Sequence, residues 1–556
     1  MRFKILIPAC LLLIALQASA QISKGQYRKI DSLFLEWNRP NHPGGAIGIM
    51  QNGQTTMSKA YGLASLEYLV PNTPGTIFNT GSVSKQFTAM GIVVLHQQGK
   101  LSVDDDIRIY LPELPDFGET ITIRHMLHHT SGLRSLHAML ELAGWRSDDS
   151  RTNEDLNRFM LNQRDLNFKP GEKYMYCNTG YMLMVNIIEK VTGEKFPAWM
   201  KQTVFEPLGM TNTYVEDNYR RIVANNATSY YQTEANDFER AVEYWGYVGS
   251  GNMHSTTYDL LRWLRNFHDP QEGWEAHFTM MQTVDPLNNG HENNYSFGVS
   301  TWSFDGHRGI GHGGSIGGFR ANVTTYPDEE LSIALLTNFS SAPIGQKLNA
   351  ISKILMGEPE EEELFEVRDP IKAIKLSNKV LAAYEGSFWN NEENLTRRIY
   401  LKNDTLRYFR SANSETPIIP VGKDEFQMVD ESVVVTVKFK LYGSDRSMIV
   451  TVGNGKPGTF SGFDPTEPSR EELESYTGEF YSPELETTYR IYLKNDSLFY
   501  HHSRHGDRGM KVLIKDVLEA DWPMSLTKYK RNEQGQVTGL RVSNGRVKNL
   551  WFEKQK

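Results

Sequence analysis

Cysteine, long apolar runs and clusters of basic residues are scarce in this chain of 556 residues. Its two cysteines are Cys10 and Cys177, and Cys10 lies in a leader that we expect to be removed. The single remaining thiol excludes an intrachain disulfide. No apolar run beyond the leader is long enough to cross a membrane, so the sequence predicts no transmembrane segment. The formal net charge of −8, with no basic cluster to offset it, argues against nucleic acid or an anionic membrane as a partner.

The first twenty residues have the three parts of a secretory signal peptide. Arg2 and Lys4 supply the charged start, residues 5–16 form the apolar core, and the small residues of 18–20 form a cleavage box. We therefore expect cleavage after Ala20 and a secreted or periplasmic protein.

The length indicates several domains, and an internal repeat locates the last two. Twelve residues between 377 and 406 recur 92 positions later, including the run Tyr-Leu-Lys-Asn-Asp that starts at Tyr400 and returns at Tyr492. Each copy has alternating strands around an Asn-Asp turn, which predicts two small antiparallel β-barrels or sandwiches. The boundaries are placed at a signal peptide over 1–20, a first domain over 21–356, a charged linker over 357–370, and β-rich repeats over 371–465 and 466–556.

Both ends of the first domain carry hairpin patterns. Residues 44–50 and 55–61 flank an Asn-Gly pair, and residues 321–326 and 331–336 flank a Pro-Asp-Glu-Glu turn. Segments with helical periodicity fill the interval. Strands at both ends with helices between them predict an α+β domain, in which helices flank an antiparallel sheet that pairs its terminal strands.

Ser82 and Lys85 are the candidate nucleophile and base. The stretch FNTGSVSKQFTAMGIVVL over 78–95 sets a polar turn before an apolar helix, so we expect Ser82 near a helix N-terminus. Lys85 lies one turn further on the same face, and burial would lower the pKa of its amine so that it can take the hydroxyl proton. Ser84 is turned about 100° away around the helix and is the poorer candidate.

The Ser-x-x-Lys spacing alone is weak evidence. It is expected about twice by chance in a chain of this length, and a second instance occurs at Ser525 and Lys528. A helix N-cap is the alternative role for Ser82. The groups that accompany the pair decide between these alternatives.

The segment Tyr176-Cys177-Asn178 supplies two such groups. As alternate residues of a strand or tight loop, Tyr176 and Asn178 are expected to face one cleft, with Cys177 turned away. A phenol beside an amine can hold a proton or pass it on. A carboxamide can hold both Lys85 and a substrate carbonyl.

The segment His312-Gly313-Gly314-Ser315 supplies the third element. Its glycines allow the backbone to approach a ligand closely. The N–H of Ser315 could pair with that of Ser82 as an oxyanion hole. Taken singly, His312 could equally belong to a surface loop.

Three histidines, His125, His128 and His129, raise the alternative of a metal site. No carboxylate or cysteine lies at ligand spacing within their segment, and the adjacent pair points to different faces. We therefore interpret them as structural histidines and expect neither a metal nor another cofactor.

Taken together, Ser-x-x-Lys, Tyr-x-Asn and His-x-Gly in this order resemble the serine β-lactamase and penicillin-binding superfamily. The strings ITIRHMLHHTSGL, PGEKYMYCNTGYMLM and GHGGSIGGFRA are typical of it, and the resemblance covers roughly residues 25–345. The similarity is to the class C β-lactamases, D-alanyl-D-alanine carboxypeptidases, esterases and D-aminopeptidases. It implies that Ser82 forms an acyl-enzyme, that Lys85 and Tyr176 move the proton, that Asn178 orients the substrate, and that the amides of Ser82 and Ser315 stabilise the oxyanion.

One departure from the family pattern concerns the substrate. The class C β-lactamases carry Lys-Thr-Gly where this chain has His312, Gly313 and Gly314. A histidine is mostly neutral at pH 7, so it cannot replace the lysine charge that meets a substrate carboxylate. Arg320 is the candidate replacement, and Gly313, Gly314 and Arg320 are the predicted substrate-binding residues.

The leading hypothesis is an exported serine hydrolase that cleaves small amides or esters, such as D-amino-acid-containing peptides or esters. A D,D-carboxypeptidase or weak β-lactamase is the alternative among enzymes. A catalytically silent, penicillin-binding-like sensor is the alternative of another class. The expected partner is a small molecule or peptide, with cell-wall peptides among the candidates.

Overall fold

The computed structural model describes residues 22–357 and 373–556, apart from positions 236, 392, 394, 412–413, 430–433, 443–444, 454–456 and 466. The predicted signal peptide over 1–20, and all of the predicted linker except Gly357, lie outside the described residues.

The first domain combines helices with a central sheet. Its helices are α1 Lys24–Ser32, α2 Ser84–Gln97, α3 Ile123–Leu127, α4 Leu136–Leu142, α5 Asn153–Asn162, α6 Asn178–Thr192, α7 Phe196–Met200, α8 Thr257–Arg265, α9 Glu275–Met281 and α10 Ile344–Met356. Short 3-10 turns cover Leu35–Trp37, Gly81–Val83, Ile107–Ile109 and Pro327–Glu329, and a π turn covers Lys201–Phe205. Its strands are β1 Gly45–Gln51, β2 Gln54–Tyr61, β3 Leu63–Ser65, β4 Val70–Pro71, β5 Phe78–Asn79, β6 Tyr214–Val215, β7 Tyr230–Gln232, β8 Phe238–Arg240, β9 Met253–Ser255, β10 Ser300–Phe304, β11 His307–Ile316, β12 Phe319–Tyr326 and β13 Leu331–Thr337.

The main sheet has six antiparallel strands in the order β10-β11-β12-β13-β1-β2. The terminal strands β1 and β13 pair from Gly45 opposite Thr337 to Gln51 opposite Leu331. Asn52 and Gly53 join β1 to β2 with positive φ angles of 49° and 71°, which a two-residue hairpin of type I′ requires. The α+β class and the pairing of the terminal strands are therefore confirmed.

Helices cover both faces of this sheet. On one face, apolar residues of β1 and β13 pack against α1 and α10. On the other, α2, α6 and α8 belong to the larger core. Residues 84–95 of α2 are all buried, and Gly91 lets α6 approach so closely that a Cβ there would stand 2.9 Å from Ile188 Cδ1. The central position of α2 fixes the turn that precedes it.

The repeats form two closed antiparallel barrels, which settles the choice between barrel and sandwich. The first has α11 Asn378–Leu381, a 3-10 turn Ala382–Tyr384, and strands β14 Gly386–Asn390, β15 Leu395–Lys402, β16 Thr405–Ser411, β17 Ser414–Gly422, β18 Glu425–Met428, β19 Val435–Tyr442, β20 Asp445–Val452 and β21 Gly458–Phe463. The second has α12 Arg470–Ser475 and strands β22 Gly478–Ser482, β23 Thr487–Lys494, β24 Ser497–His502, β25 Gly506–Ile514, β26 Val517–Ala520, β27 Leu526–Arg531, β28 Val537–Asn544 and β29 Val547–Lys554. The Asn-Asp turns at 403–404 and 495–496 have positive φ in both copies. No helix among the residues described is long and apolar enough to cross a membrane.

The second barrel, although further along the chain, docks directly on the first domain. Its buried apolar residues join those of the first domain in one continuous cluster, whereas the first barrel has a cluster of its own. Tyr489 Oη donates to the Leu142 carbonyl at 2.9 Å. Gly144, with φ of +89°, leaves room for His502, because a Cβ there would stand 1.9 Å from His502 Cε1.

A buried ion pair lies in this interface. Arg134 of the first domain and Glu484 of the second barrel approach to 3.4 Å, with side chains 0% and 8% exposed. Arg134 Nη2 also donates to the Lys548 carbonyl at 3.1 Å. Because a buried charge is costly without its partner, this pair ties the position of the barrel to the first domain.

Glu484→Ala is expected to lower the free energy of unfolding by about 3 kcal/mol, because it leaves the Arg134 guanidinium buried without the carboxylate that pairs with it. The matched control is Glu486→Ala, which removes a partly exposed partner of Arg158 in the same interface and should cost less than about 1 kcal/mol. Urea denaturation followed by circular dichroism measures both. Equal losses would show that the buried pair does not hold the interface.

Candidate active site

Ser82 lies in the 3-10 turn that leads into α2, as its predicted position near a helix start requires. Thr80 N donates to the Met253 carbonyl at 2.8 Å, and Gly81 N donates to Asn79 Oδ1 at 3.0 Å. Ser84 is turned inward, where its hydroxyl donates to the Gly81 carbonyl at 2.6 Å. These hydrogen bonds fix the turn on its buried side. Ser82, and not Ser84, is the serine that lines the cleft.

Lys85 is fully buried behind Ser82. Its Nζ donates to Ser82 Oγ at 3.2 Å and to the Ser250 carbonyl at 2.7 Å, and it lies 4.7 Å from the centre of the Tyr176 ring. Burial lowers the pKa of this amine well below its usual range, and the positive charge of Arg546 lowers it further. A lowered pKa favours the neutral amine, which is the form that can accept the serine proton.

Tyr176 and Asn178 also reach the cleft, but not as alternate residues of one strand. Asn178 is the first residue of α6, and Cys177 is its N-cap. Cys177 N donates to Nδ1 of the buried His129 at 3.0 Å, while the Cys177 thiol points to the Leu133 carbonyl at 3.4 Å. The bend at the helix start, held by His129, therefore turns Tyr176 and Asn178 into the cleft.

Three buried polar atoms on the cleft wall have no hydrogen-bond partner among the described residues. They are Tyr176 Oη, Asn178 Oδ1 and Ser250 Oγ. Burial raises the pKa of the Tyr176 phenol, and the neighbouring Ser82 side chain offsets part of that rise. Because buried polar groups in folded proteins are nearly always paired, these three indicate where a ligand would be bound.

The histidines of the segment 121–133 hold the local backbone. His125 Nδ1 accepts from Thr122 N at 3.1 Å, and His128 pairs with Asp285 at 3.0 Å. Among the residues that the structure describes, no group of three or more His, Cys, Asp or Glu is arranged to hold a metal ion.

Strand β11 lies against the turn of Ser82 because two glycines permit the approach. A Cβ on Gly314 would stand 2.0 Å from the Thr80 carbonyl oxygen, and a Cβ on Gly81 would stand 2.7 Å from Ser315 N. The contact carries the Ser315 amide to the side of Ser82. Ser82, Gly313, Gly314 and Ser315 all line the cleft, and the oxyanion hole formed by two of their amides stays a prediction.

His312 is buried in β11 and linked to Tyr295. Its Nδ1 donates to the Gly313 carbonyl, so Nε2 accepts from Tyr295 Oη at 2.9 Å. Burial, and to a lesser extent the nearby Lys85, lowers the pKa of His312 to about 4. The imidazole is therefore neutral at pH 7.

Arg320 does not join these residues. Its Nη1 donates to the carbonyls of Gly317 at 3.0 Å and Phe319 at 2.7 Å, and it is absent from the described lining of the cleft. The structure therefore places the predicted replacement for the missing lysine outside the site.

The β-lactamase family model matches residues 31–351, more than half of the chain. The chain belongs to the β-lactamase family. Membership identifies it as a serine hydrolase, and the match includes Ser82, Lys85, Tyr176, Asn178 and His312.

Relatives of the chain include a penicillin-binding protein and a D-aminopeptidase. Penicillin-binding protein 4* of Bacillus subtilis is 26% identical over 447 residues, which are 77% of this chain and 96% of that protein. A D-aminopeptidase of Gluconobacter oxydans is 25% identical over 300 residues, which are 54% of this chain and 56% of that enzyme, so the match spans just over half of its length. The octameric penicillin-binding protein homologue from Pyrococcus abyssi is similar in fold, with a TM-score of 0.55 at 24% identity over 78% of this chain and 99% of that one.

The cleft of this β-lactamase-family enzyme has a volume of ≈ 770 Å³. Sequence reasoning missed several residues of its wall, which are His137, Tyr174, Tyr247, Asn322 and Arg546. The Gly-rich turn at 249–251 was a usable signal for Ser250. No pattern in the sequence pointed to Arg546, because it belongs to a different domain.

His312 should not make substrate choice depend on pH. Since its pKa is about 4, it is neutral from pH 5 to 8. The ratio of kcat/KM for a carboxylate substrate over its carboxamide should therefore be flat in that range. Steady-state kinetics at several pH values measure it, and a ratio that rises toward pH 5 would contradict the neutral assignment.

His312→Lys should raise the same ratio at pH 8 about tenfold, the equivalent of about 1.4 kcal/mol from one added charge. His307→Lys is the matched control, because it makes the same change on β11 at a position outside the described cleft lining.

Proposed function

We propose that this protein is an exported serine hydrolase that cleaves amide or ester bonds in D-amino-acid-containing peptides or esters through an acyl-enzyme on Ser82. The observation that carries the proposal is the buried contact of 3.2 Å between Lys85 Nζ and Ser82 Oγ. Lys85 pairs with no carboxylate among the described residues, and the pKa of its amine is lowered well below the usual range. A lowered pKa favours the uncharged amine, and in that form Lys85 can serve as a general base at this distance.

In the acylation step, Ser82 Oγ attacks the substrate carbonyl carbon while its proton passes to Lys85 Nζ. The negative charge that develops on the carbonyl oxygen is stabilised by the amides of Ser82 and Ser315. The proton then passes through the Tyr176 hydroxyl to the leaving nitrogen or oxygen, and the bond to the leaving group breaks. Asn178 orients the substrate carbonyl.

Deacylation reverses these roles. A water molecule attacks the acyl carbon and gives its proton to the basic pair of Lys85 and Tyr176, and Ser82 Oγ leaves and recovers a proton from it. The same two amides receive the oxyanion. The pair ends in the protonation state in which it began, so no cofactor is required.

The proposed substrates rest on the relatives and on His312. A D-aminopeptidase and a penicillin-binding protein are both among the matched proteins. The signal-like leader supports export. The complete set of Ser82, Lys85, Tyr176 and Asn178 argues against a silent sensor. A second candidate, a D,D-carboxypeptidase or weak β-lactamase, is favoured by the positive charge of Arg546 in the cleft.

Ser82→Ala should lower kcat for 4-nitrophenyl acetate by about three orders of magnitude, the scale seen when a catalytic nucleophile is removed. Mass spectrometry after treatment with a fluorophosphonate should place the adduct on Ser82. Ser525→Ala is the matched control, because it removes the serine of the other Ser-x-x-Lys, which is exposed in the second barrel. An adduct on Ser84, or full activity in Ser82→Ala, would refute the assignment.

Lys85→Arg should lower kcat at pH 7 by about two to four orders of magnitude, because a guanidinium keeps the positive charge but cannot accept the serine proton. The loss should persist up to pH 10, since arginine stays protonated there. The pH–rate profile of the variant against the wild type measures it. Activity close to wild type in Lys85→Arg at pH 7 would mean that Lys85 acts only through its charge, and recovery as the pH rises would mean that another group takes the serine proton.

A further inference from the structure

The turn between β28 and β29 of the second barrel reaches the catalytic cleft. Arg546, in this turn, is exposed and lines the same cleft as Ser82. Its guanidinium carbon lies 4.8 Å from the centre of the Tyr176 ring. A guanidinium at this distance over an aromatic face is attracted by the ring and oriented by it.

The backbone of this turn is fixed to the first domain. The Arg546 carbonyl accepts from Asn167 Nδ2 at 3.0 Å and from Ser135 N at 3.3 Å. Two residues further on, Lys548 N donates to Asn167 Oδ1 at 2.8 Å. Asn167 therefore binds the backbone at Arg546 and at the start of β29, which fixes the Arg546 backbone relative to the first domain.

No negatively charged side chain lies beside Arg546 among the described residues of the cleft. No aspartate or glutamate is found in the described lining of the cleft, and no carboxylate of the described residues forms an ion pair with Arg546. His312 is neutral at pH 7. The charge of Arg546 is felt at the reacting groups, because it lowers the pKa of Lys85.

We propose that Arg546 binds a carboxylate of the substrate, so that the second barrel selects substrates with a free carboxylate over those with a free ammonium. The proposal rests on the proposed function and names its substrate class. The planar guanidinium offers paired donors that match a carboxylate. A substrate ammonium would meet a like charge and no acidic partner among the described groups of the cleft.

This assignment gives His312 and Arg546 separate roles. His312 stays neutral and hydrogen-bonded within the first domain, while the charge for the carboxylate comes from the second barrel. Arg320, which lies nearer in sequence, is held by the carbonyls of its own turn. Substrate charge preference then depends on the docking of the second barrel.

The test compares full-length wild type with Arg546→Ala, using N-acetyl-D-alanyl-D-alanine and its C-terminal carboxamide. Both compete with 4-nitrophenyl acetate whether or not they are cleaved, so their inhibition constants can be measured in every variant. The wild type should prefer the carboxylate, and Arg546→Ala should lose that preference about tenfold, as expected for one charge-assisted contact. If the substitution also changes the reactivity of Lys85, hydrolysis of 4-nitrophenyl acetate changes equally in both measurements. This change therefore cancels in the ratio of the two inhibition constants.

Two control variants sharpen the comparison. Arg546→Lys keeps the charge and should keep most of the preference. Arg541→Ala removes an arginine of β28 that pairs with Asp165 at 3.1 Å outside the described cleft lining, and it should leave the ratio unchanged. D-alaninamide, which carries a free ammonium, should inhibit Arg546→Ala more strongly than wild type.

The outcomes distinguish this inference from the proposed function. If wild type hydrolyses 4-nitrophenyl acetate through Ser82 but the ratio is the same in wild type and Arg546→Ala, the carboxylate assignment is wrong and the proposed function stands. If Arg546→Ala weakens both ligands equally, Arg546 merely supports Tyr176, and the assignment is again wrong. If wild type shows no hydrolysis dependent on Ser82, the proposed function fails.

Discussion

The active site depends on one buried amine that no carboxylate among the described residues neutralises. The amine of Lys85, a residue of α2, contacts the carbonyl of Ser250 and the faces of Tyr176 and Tyr181. Removing a charged amine from water is expensive, so burial favours its neutral form. A carbonyl and two aromatic faces stabilise an ammonium only partly, so the amine can both hold and release a proton. This balance would be lost if a carboxylate stood beside it.

The glycines at the site allow two backbone segments to approach each other closely. Gly81 and Gly314 let β11 contact the turn before α2, where any side chain would overlap backbone atoms. The contact holds the Ser315 amide against Gly81, next to Ser82, without the flexibility of a side-chain donor. Backbone donors fixed in this way need little rearrangement when an oxyanion forms, which is the condition under which they contribute most. His312, on the same strand, is buried against Tyr295 and Tyr176, and burial keeps it uncharged.

The second barrel is part of the active site's environment as well as a neighbouring domain. Its apolar residues merge with the first domain, the pair of Arg134 and Glu484 is enclosed between them, and Asn167 holds the turn of Arg546. The first barrel has its own core, and its described contacts with the first domain include the ion pair of Lys173 with Glu393 at 2.9 Å. The positive charge of Arg546 at the cleft thus comes from a domain that the catalytic motifs do not include.

Features set by neighbouring residues were predictable from the sequence, because short-range geometry determines them. The spacing of Ser82 and Lys85, the Asn52-Gly53 turn and the two copies of the barrel repeat are of this kind. The lowered pKa of His312, the inward turn of Tyr176 and Asn178, and the position of Arg320 depend on burial and on contacts between distant segments. Arg546 is the clearest case, since only the docking of the second barrel brings its charge to Tyr176. Local patterns determined which groups could react, and tertiary packing decided which charges surround them, because burial and long-range proximity leave no periodic trace in the chain.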